Sequence, residues 1–123
     1  MGQGNFKTIA RKIEGVLLKQ RKSKFYGYAY PLVDNMEVKE IVTRLKKLHP
    51  NADHICFAWQ MGTEVRSFRV NDDGEPTNSA GMPIYGQIRS FDLTNILVAV
   101  VRIFGGNKLG VGGLISAYAT VRN

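Results

Sequence analysis

In the stretch SKFYGYAYPL, residues 23–32, Lys24, Tyr26, Tyr28 and Tyr30 alternate with Phe25, Gly27 and Ala29. A period of two places the first set on one side of a strand and the second set on the other. The preceding KIEGVLLKQR (12–21) is rich in branched residues, and the tight connection over 21–23 makes the pair a hairpin. The period then changes. In DNMEVKEIVTRLKKLHP (34–50), Val38, Ile41, Val42, Leu45 and Leu48 recur at three- and four-residue intervals. That is the stripe of an amphipathic helix, capped by Asp34 or Asn35 and closed by Pro50.

HICFAWQMGTEVRSFRVN (54–71) predicts a second hairpin that turns at Gly62. The polar loop DDGEPTNSAG (72–81) leads into a helix over 81–91, with Ser79 as its cap and Pro83 in its first turn. NILVAVVRIF (95–104) is apolar at nearly every position, as a central strand covered on both sides would be. After a glycine-rich segment, GLISAYATV (113–121) predicts a last helix. This order predicts an α+β fold, a two-layer sandwich whose mainly antiparallel sheet of four to five strands carries its helices on one face.

Composition narrows the setting. The 123 residues suit one domain, and 44% hydrophobic with 22% charged residues is the balance of a soluble globular protein. The longest apolar run, 96–101, is too short to cross a bilayer. The opening MGQGNFKTIARK lacks the apolar region of a signal peptide, and Phe6 stands where a myristoylation site wants Ser or Thr. No membrane role is expected. The single cysteine, Cys56, excludes an internal disulfide and reads as a buried thiol in the reducing cytosol. Charge changes the picture more. Seventeen Lys and Arg against ten Asp and Glu give +7, with much of the excess early, in Lys7, Arg11, Lys12, Lys19, Arg21, Lys22 and Lys24. Such a surplus favours phosphate-rich partners through counterion release.

The candidate chemistry lies in three places. RIFGGNKLGVGG (102–113) holds five glycines in twelve residues. It lacks the Lys and Ser/Thr of a phosphate-binding Walker loop, and Ile115 occupies the third-glycine position of a dinucleotide fingerprint. Two readings remain: glycines that permit positive φ and close strand–helix packing, which is the stronger, and a helix start near Gly112 and Gly113 that attracts an anion beside Lys108. Asp72, Asp73 and Glu75 have the oxygen ligands of a hard-cation site, or the pair of an acid–base catalyst, but not the spacing of a calcium loop. Their structural reading, again the stronger, is a turn stiffened by Pro76 in which one carboxylate pairs with an arginine such as Arg102. His49 and His54 do not have metal-binding spacing; His49 suits a helix C-terminus, and Cys56 shares strand parity with His54 without making a hydrolase. No catalytic residue, metal or cofactor is assigned. Third, Lys24, Tyr26, Tyr28 and Tyr30, with Lys19 and Arg69 nearby, would form an exposed sheet face on which single-stranded RNA could stack its bases and rest its phosphates.

DDGEPTNSAGMPIYGQI, followed by VVRIFGGNKLGVGGLISAY, closely resembles the signature of the Impact/YigZ family in its Impact N-terminal domain. KSKFYGYAYPL and HPNADHICFAW match in the same order and spacing, so the resemblance spans roughly residues 12–120. Its motif positions here are Asp72, Asp73, Gly74, Glu75, Pro76, Gly81, Arg102, Gly105, Gly106, Lys108, Gly110, Gly112, Gly113 and Tyr118. The resemblance implies a fold like the second domain of a small-subunit ribosomal protein and domain IV of elongation factor G. Bacterial members usually add a ferredoxin-like domain, which is not expected within residues 1–123. Eukaryotic members add an RWD domain, which nothing here resembles, and act in translational control by competing for an activator of a stress-sensing kinase. The expected function is therefore a non-enzymatic, cytosolic binding module tied to translation and its stress control, associated with RNA or the ribosome. Two alternatives stay open: a protein-interaction domain that sequesters a translational regulator, and a small metal-dependent enzyme built on the acidic loop.

Overall fold

The structure, a computed structural model, describes residues 7–120. Residues 1–6, on which the signal-peptide and myristoylation readings fall, and residues 121–123, at the end of the last expected helix, lie outside the described residues. Eight elements follow the expected order: β1 (Ile13–Gln20), β2 (Ser23–Pro31), α1 (Glu37–Leu48), β3 (His54–Met61), β4 (Ser67–Asn71), α2 (Gly81–Ser90), β5 (Ile96–Ile103) and α3 (Gly110–Thr120). The five strands form one sheet in the order β1-β2-β5-β3-β4, and every neighbouring pair is antiparallel. Two hairpins thus flank a central strand that arrives last in sequence.

The α+β class and the antiparallel sheet agree with expectation; the placement of the helices on one face does not. Phe25, Ala29, Cys56, Ala58 and Val100 pack with residues of α2 and α3 on one side of the sheet. Tyr28, Tyr30, Phe57, Trp59, Leu97, Ala99 and Val101 pack with Val38, Ile41 and Leu45 of α1 on the other. The molecule is therefore layered helix, sheet, helix, and β5 is buried on both sides, as its unbroken apolar run demands. The reason lies in the tyrosines. A phenol ring carries a large apolar area, and burying it is favourable once its hydroxyl has a partner. Tyr28 meets His49 Nε2 through its hydroxyl, and Tyr30 donates to Glu14 Oε2 at 3.0 Å.

Local chemistry sets the element ends. The β1–β2 turn uses Arg21 and Lys22 at φ 47° and 68°, the two left-handed positions of a tight hairpin turn. Glu37 Oε2 accepts the N–H groups of Val33 and Asp34, and Asp34 Oδ1 accepts that of Met36, which holds the entry to α1. The expected Ser79 cap of α2 is replaced. Asp72 Oδ1, reaching across from the acidic loop, accepts from Ala80 N and Gly81 N at 3.2 and 2.8 Å. The Ser79 hydroxyl turns back to Pro76 O instead. The last helix begins at Gly110, before the expected Gly112–Gly113 start, and Gly110 enters it at φ 72°.

The glycines of the last loop differ in what they do. A Cβ on Gly105 would lie 2.0 Å from the carbonyl oxygen of Lys22, because the β1–β2 turn rests directly on this backbone. Gly112 has open space around its Cβ position and sits inside α3. Accordingly, Gly105→Ala is expected to lower unfolding free energy by roughly 2–4 kcal/mol. Gly112→Ala should be neutral or raise it by up to about 1 kcal/mol. Urea titrations of the two variants check this contrast.

Candidate functional site

Arg102 leaves β5 on the α2/α3 side of the sheet, directly opposite Phe25 of β2 and His54 of β3. Its guanidinium lies between two rings, 5.7 Å from the centroid of Phe25 and 5.5 Å from that of Phe104. Rings so placed favour a cation through their quadrupoles while excluding water. Its charge is answered by Glu75. Arg102 Nη1 donates to both oxygens of Glu75, at 2.9 and 2.8 Å, and both side chains are more than nine-tenths buried. Arg102 Nη2 reaches Ser23 Oγ at 3.5 Å, and Ser23 Oγ also accepts the N–H of Gly105. Arg102 Nε has no hydrogen-bond partner among the described residues.

From above, Tyr118 of α3 donates its hydroxyl to Glu75 Oε2, and its ring meets Phe25 edge-on at 5.2 Å. Burial, reinforced by neighbouring Cys56 and Glu75, pushes the Tyr118 phenol far above its ordinary pKa, so it remains a donor. His54 Nε2 stands 3.5 Å from Glu75 Oε1, while its Nδ1 lies 2.8 Å from Asp73 O. One carboxylate thus ties β5, the acidic loop, α3 and the start of β3 together.

The acidic loop presents that carboxylate by using up its others. Asp72 accepts from Ala80, Gly81 and Asn78 N–H groups; Asp73 Oδ2 accepts from Ile55 N at 2.7 Å. Asp73 and Gly74 take φ values of 44° and 88°, and Glu75 N closes the turn onto Asp72 O at 2.9 Å. The turn with an arginine partner is therefore what the structure contains, and Glu75 is the partner. The three acidic side chains face different donors. Among the described residues no group of three His, Cys, Asp or Glu side chains is arranged to hold a metal ion. Cys56 is fully buried, and burial pushes its thiol well above the ordinary value; Cys56 Sγ donates to Asp72 O.

A cleft of about 410 Å³ opens over this network, lined by His54, Glu75, Arg102, Phe104, Lys108 and Gly110, among others. The β1–β2 turn lies against its glycine loop, which brings exposed Lys19, Arg21, Lys22 and Lys24 to the same end of the sheet as Lys108. None of these five has a carboxylate partner among the described residues. Lys19 and Lys24 stand directly opposite each other, a repulsive cross-strand pair that an anion would relieve.

The expected tyrosine platform is not there. Tyr28 and Tyr30 are 3% and 6% exposed beneath α1 and offer no face to a base. Tyr26 is half-buried with its ring against His49. Arg69 shares the α1 side of the sheet but lies on β4, roughly 14 Å from β2 across three interstrand steps, so it does not join Lys19 and Lys24. Ser23, Phe25 and Phe104 carry no local sequence signal of a site, and the signal of His54 is its strand parity with Cys56.

Comparison with known proteins matches residues 21–123 to the Impact N-terminal domain. The chain is 39% identical over 97 residues to the IMPACT family member YvyE of Bacillus subtilis, covering 79% of this chain and 45% of that protein. It is 39% identical over 82 residues to the IMPACT family member YigZ of Escherichia coli, covering 65% of this chain and 40% of that one. It thus spans about half the length of the curated relatives it matches. A crystal structure of a hypothetical protein superimposes with a TM-score of 0.85 at 33% identity, over 89% of this chain and 54% of its own. The two-domain translational regulator Yih1 shares the fold, with a TM-score of 0.62 at 24% identity over 90% of this chain and 45% of its own.

Two measurements probe this architecture. Glu75→Gln leaves a buried guanidinium uncompensated and should lower stability by about 3–5 kcal/mol, whereas a Glu75→Leu/Arg102→Met pair should cost clearly less than the two single changes summed, as a double-mutant cycle in urea would show. His49 supplies a pH dependence. Burial lowers its pKa from the ordinary 6.5, so between the two values the unfolded chain binds more protons than the folded one. Stability from this group is full above about 6.5 and declines as pH falls through the window below it. Unfolding midpoints between pH 7.5 and about 5 should therefore fall less steeply for His49→Gln than for the parent.

Proposed function

The chain belongs to the Impact N-terminal domain family, and on that footing we propose that it is a non-enzymatic binding module of translation and its stress control, docking RNA or a ribosomal site through the cationic end of its sheet. The observation that carries this reading is the set of exposed cations at one end of the sheet, Lys19, Arg21, Lys22 and Lys24 on the β1–β2 hairpin and Lys108 on the cleft rim, none with an acidic partner among the described residues. A phosphate backbone neutralises such a group and releases its own counterions in doing so. The family motif residues favour a binding role over catalysis, because Asp72 and Asp73 hold backbone N–H groups and Glu75 is saturated by Arg102 and Tyr118. That a protein of the same fold is a translational regulator supports the setting by analogy of fold. The buried, unpaired Cys56 suits a reducing cytosol, and no helix among the described residues is long and apolar enough to cross a membrane.

Fluorescence anisotropy with a labelled single-stranded RNA of mixed sequence tests this. Binding should weaken steeply with salt, each phosphate contact adding about 0.7 to the slope of log K against log salt. Lys22→Glu, Lys24→Glu and Lys108→Glu should each reduce both affinity and slope, while Arg69→Ala leaves them unchanged. Absence of affinity at low salt, or binding indifferent to all three substitutions, overturns the proposal.

A further inference from the structure

β4 lies at the edge of the sheet and pairs only with β3, in five consecutive register pairs from Phe57↔Asn71 to Met61↔Ser67. Among the described residues no further strand pairs with its outer row of backbone donors and acceptors, although Gly81 packs closely against Val70 and Asn71 at one end. The opposite edge, β1, is interrupted by a register shift between Ile13 and Val16, where Gly15 takes φ 74°, so β4 is the more regular template for another strand. Phe68 of β4 is 51% exposed although its ring stacks on Tyr85 at 4.2 Å, and Val65, just before the strand, is 91% exposed.

Beside this edge runs a groove of about 630 Å³ between α1 and the β3–β4 hairpin, distinct from the Glu75–Arg102 cleft. Phe57 and Trp59 form part of its floor, and Lys39 and Lys46 of α1 and Arg69 of β4 give it three cations. No carboxylate lines it, and none of the three cations has an acidic partner among the described residues. Trp59 lies directly opposite Arg69, so an added strand on β4 would send alternate side chains toward this groove.

We propose that the edge of β4 takes an extended acidic segment of a partner protein as a sixth strand, its carboxylates meeting Lys39, Lys46 and Arg69. Backbone pairing supplies the affinity, and the charges choose the sequence and its register. A single-stranded nucleic acid would find the same cations, but Phe57 and Trp59 are each only 8% exposed, and Phe68, the exposed aromatic of the groove, already stacks one ring face on Tyr85, so successive bases find no stacking platform. A peptide needs none.

Trp59 is the one tryptophan of the chain and reports on the groove directly. The test titrates the protein with a tryptophan-free peptide of about eight residues alternating Glu and Val, followed by Trp59 emission and by amide shifts of residues 67–71. Saturable changes in both are expected, with affinity falling about tenfold in Arg69→Glu and clearly in Lys39→Glu, but not in Lys22→Glu at the other site. A peptide N-methylated at alternate residues keeps its charges and should lose binding. No change in emission, equal binding of a Lys/Val peptide, unimpaired binding of the N-methylated peptide, or displacement by an RNA oligonucleotide that itself shifts Trp59 would each overturn the proposal.

Discussion

A buried carboxylate–guanidinium pair governs the architecture. Glu75 and Arg102 come from a loop and a strand far apart in sequence, and each would be costly to bury without the other. Everything that surrounds them serves to make the pair tolerable: Phe25 and Phe104 against the guanidinium, Tyr118 as a neutral donor, Ser23 on the second amino group. Because these groups belong to β2, β5, the acidic loop and α3, satisfying one ion pair fixes how the elements meet. Polar interactions of this kind add less to stability than apolar burial does, but they discriminate sharply between one packing and its neighbours.

The same constraint explains the family motif. Asp72 acts on α2, Asp73 on β3, and Glu75 on β5 and α3, so three acidic positions within four residues deliver their oxygens in three directions. The left-handed φ of Asp73 and Gly74 makes that divergence possible. In the glycine loop, Gly105 is required by contact with the β1–β2 turn, and Gly106 and Gly110 by positive φ. The glycines chiefly let a central strand turn into a helix under a hairpin, and this is what brings the turn's own cations to the same end of the sheet as Lys108.

Part of the fold was legible because hydrophobic periods coincide with burial: Val38, Ile41 and Leu45 of the α1 stripe are buried, though Leu48 is exposed, and the unbroken run of β5 is covered on both sides. By contrast β2, read as alternating, is buried on both faces from Gly27 to Tyr30. The side of the sheet on which α1 packs was not legible, since a phenol is scored as polar by its hydroxyl and apolar by its ring. The hydroxyl partners that decide the matter, Glu14 and His49, lie far along the chain from Tyr30 and Tyr28. The clasp was half legible. Turn chemistry pointed to a carboxylate on Arg102, but the choice of Glu75 follows from backbone donors claiming Asp72 and Asp73, which only the folded loop reveals. Of the nucleic-acid candidates, Lys19, Lys24 and Lys108 lie at one end of the sheet, whereas Tyr28 and Tyr30 are buried beneath α1 and Arg69 is set apart by strand order.

The strand order has an implication for how the molecule is made. β5 separates two hairpins that can each form early from neighbouring residues, yet neither can close its inner edge until the last strand has been synthesised. During that interval β2 and β3 present unpaired backbone and apolar side chains on edges destined for the centre, the condition under which chains associate wrongly or recruit chaperones. Insertion of β5 then makes long-range contacts on both flanks, the kind of non-local pairing that slows folding.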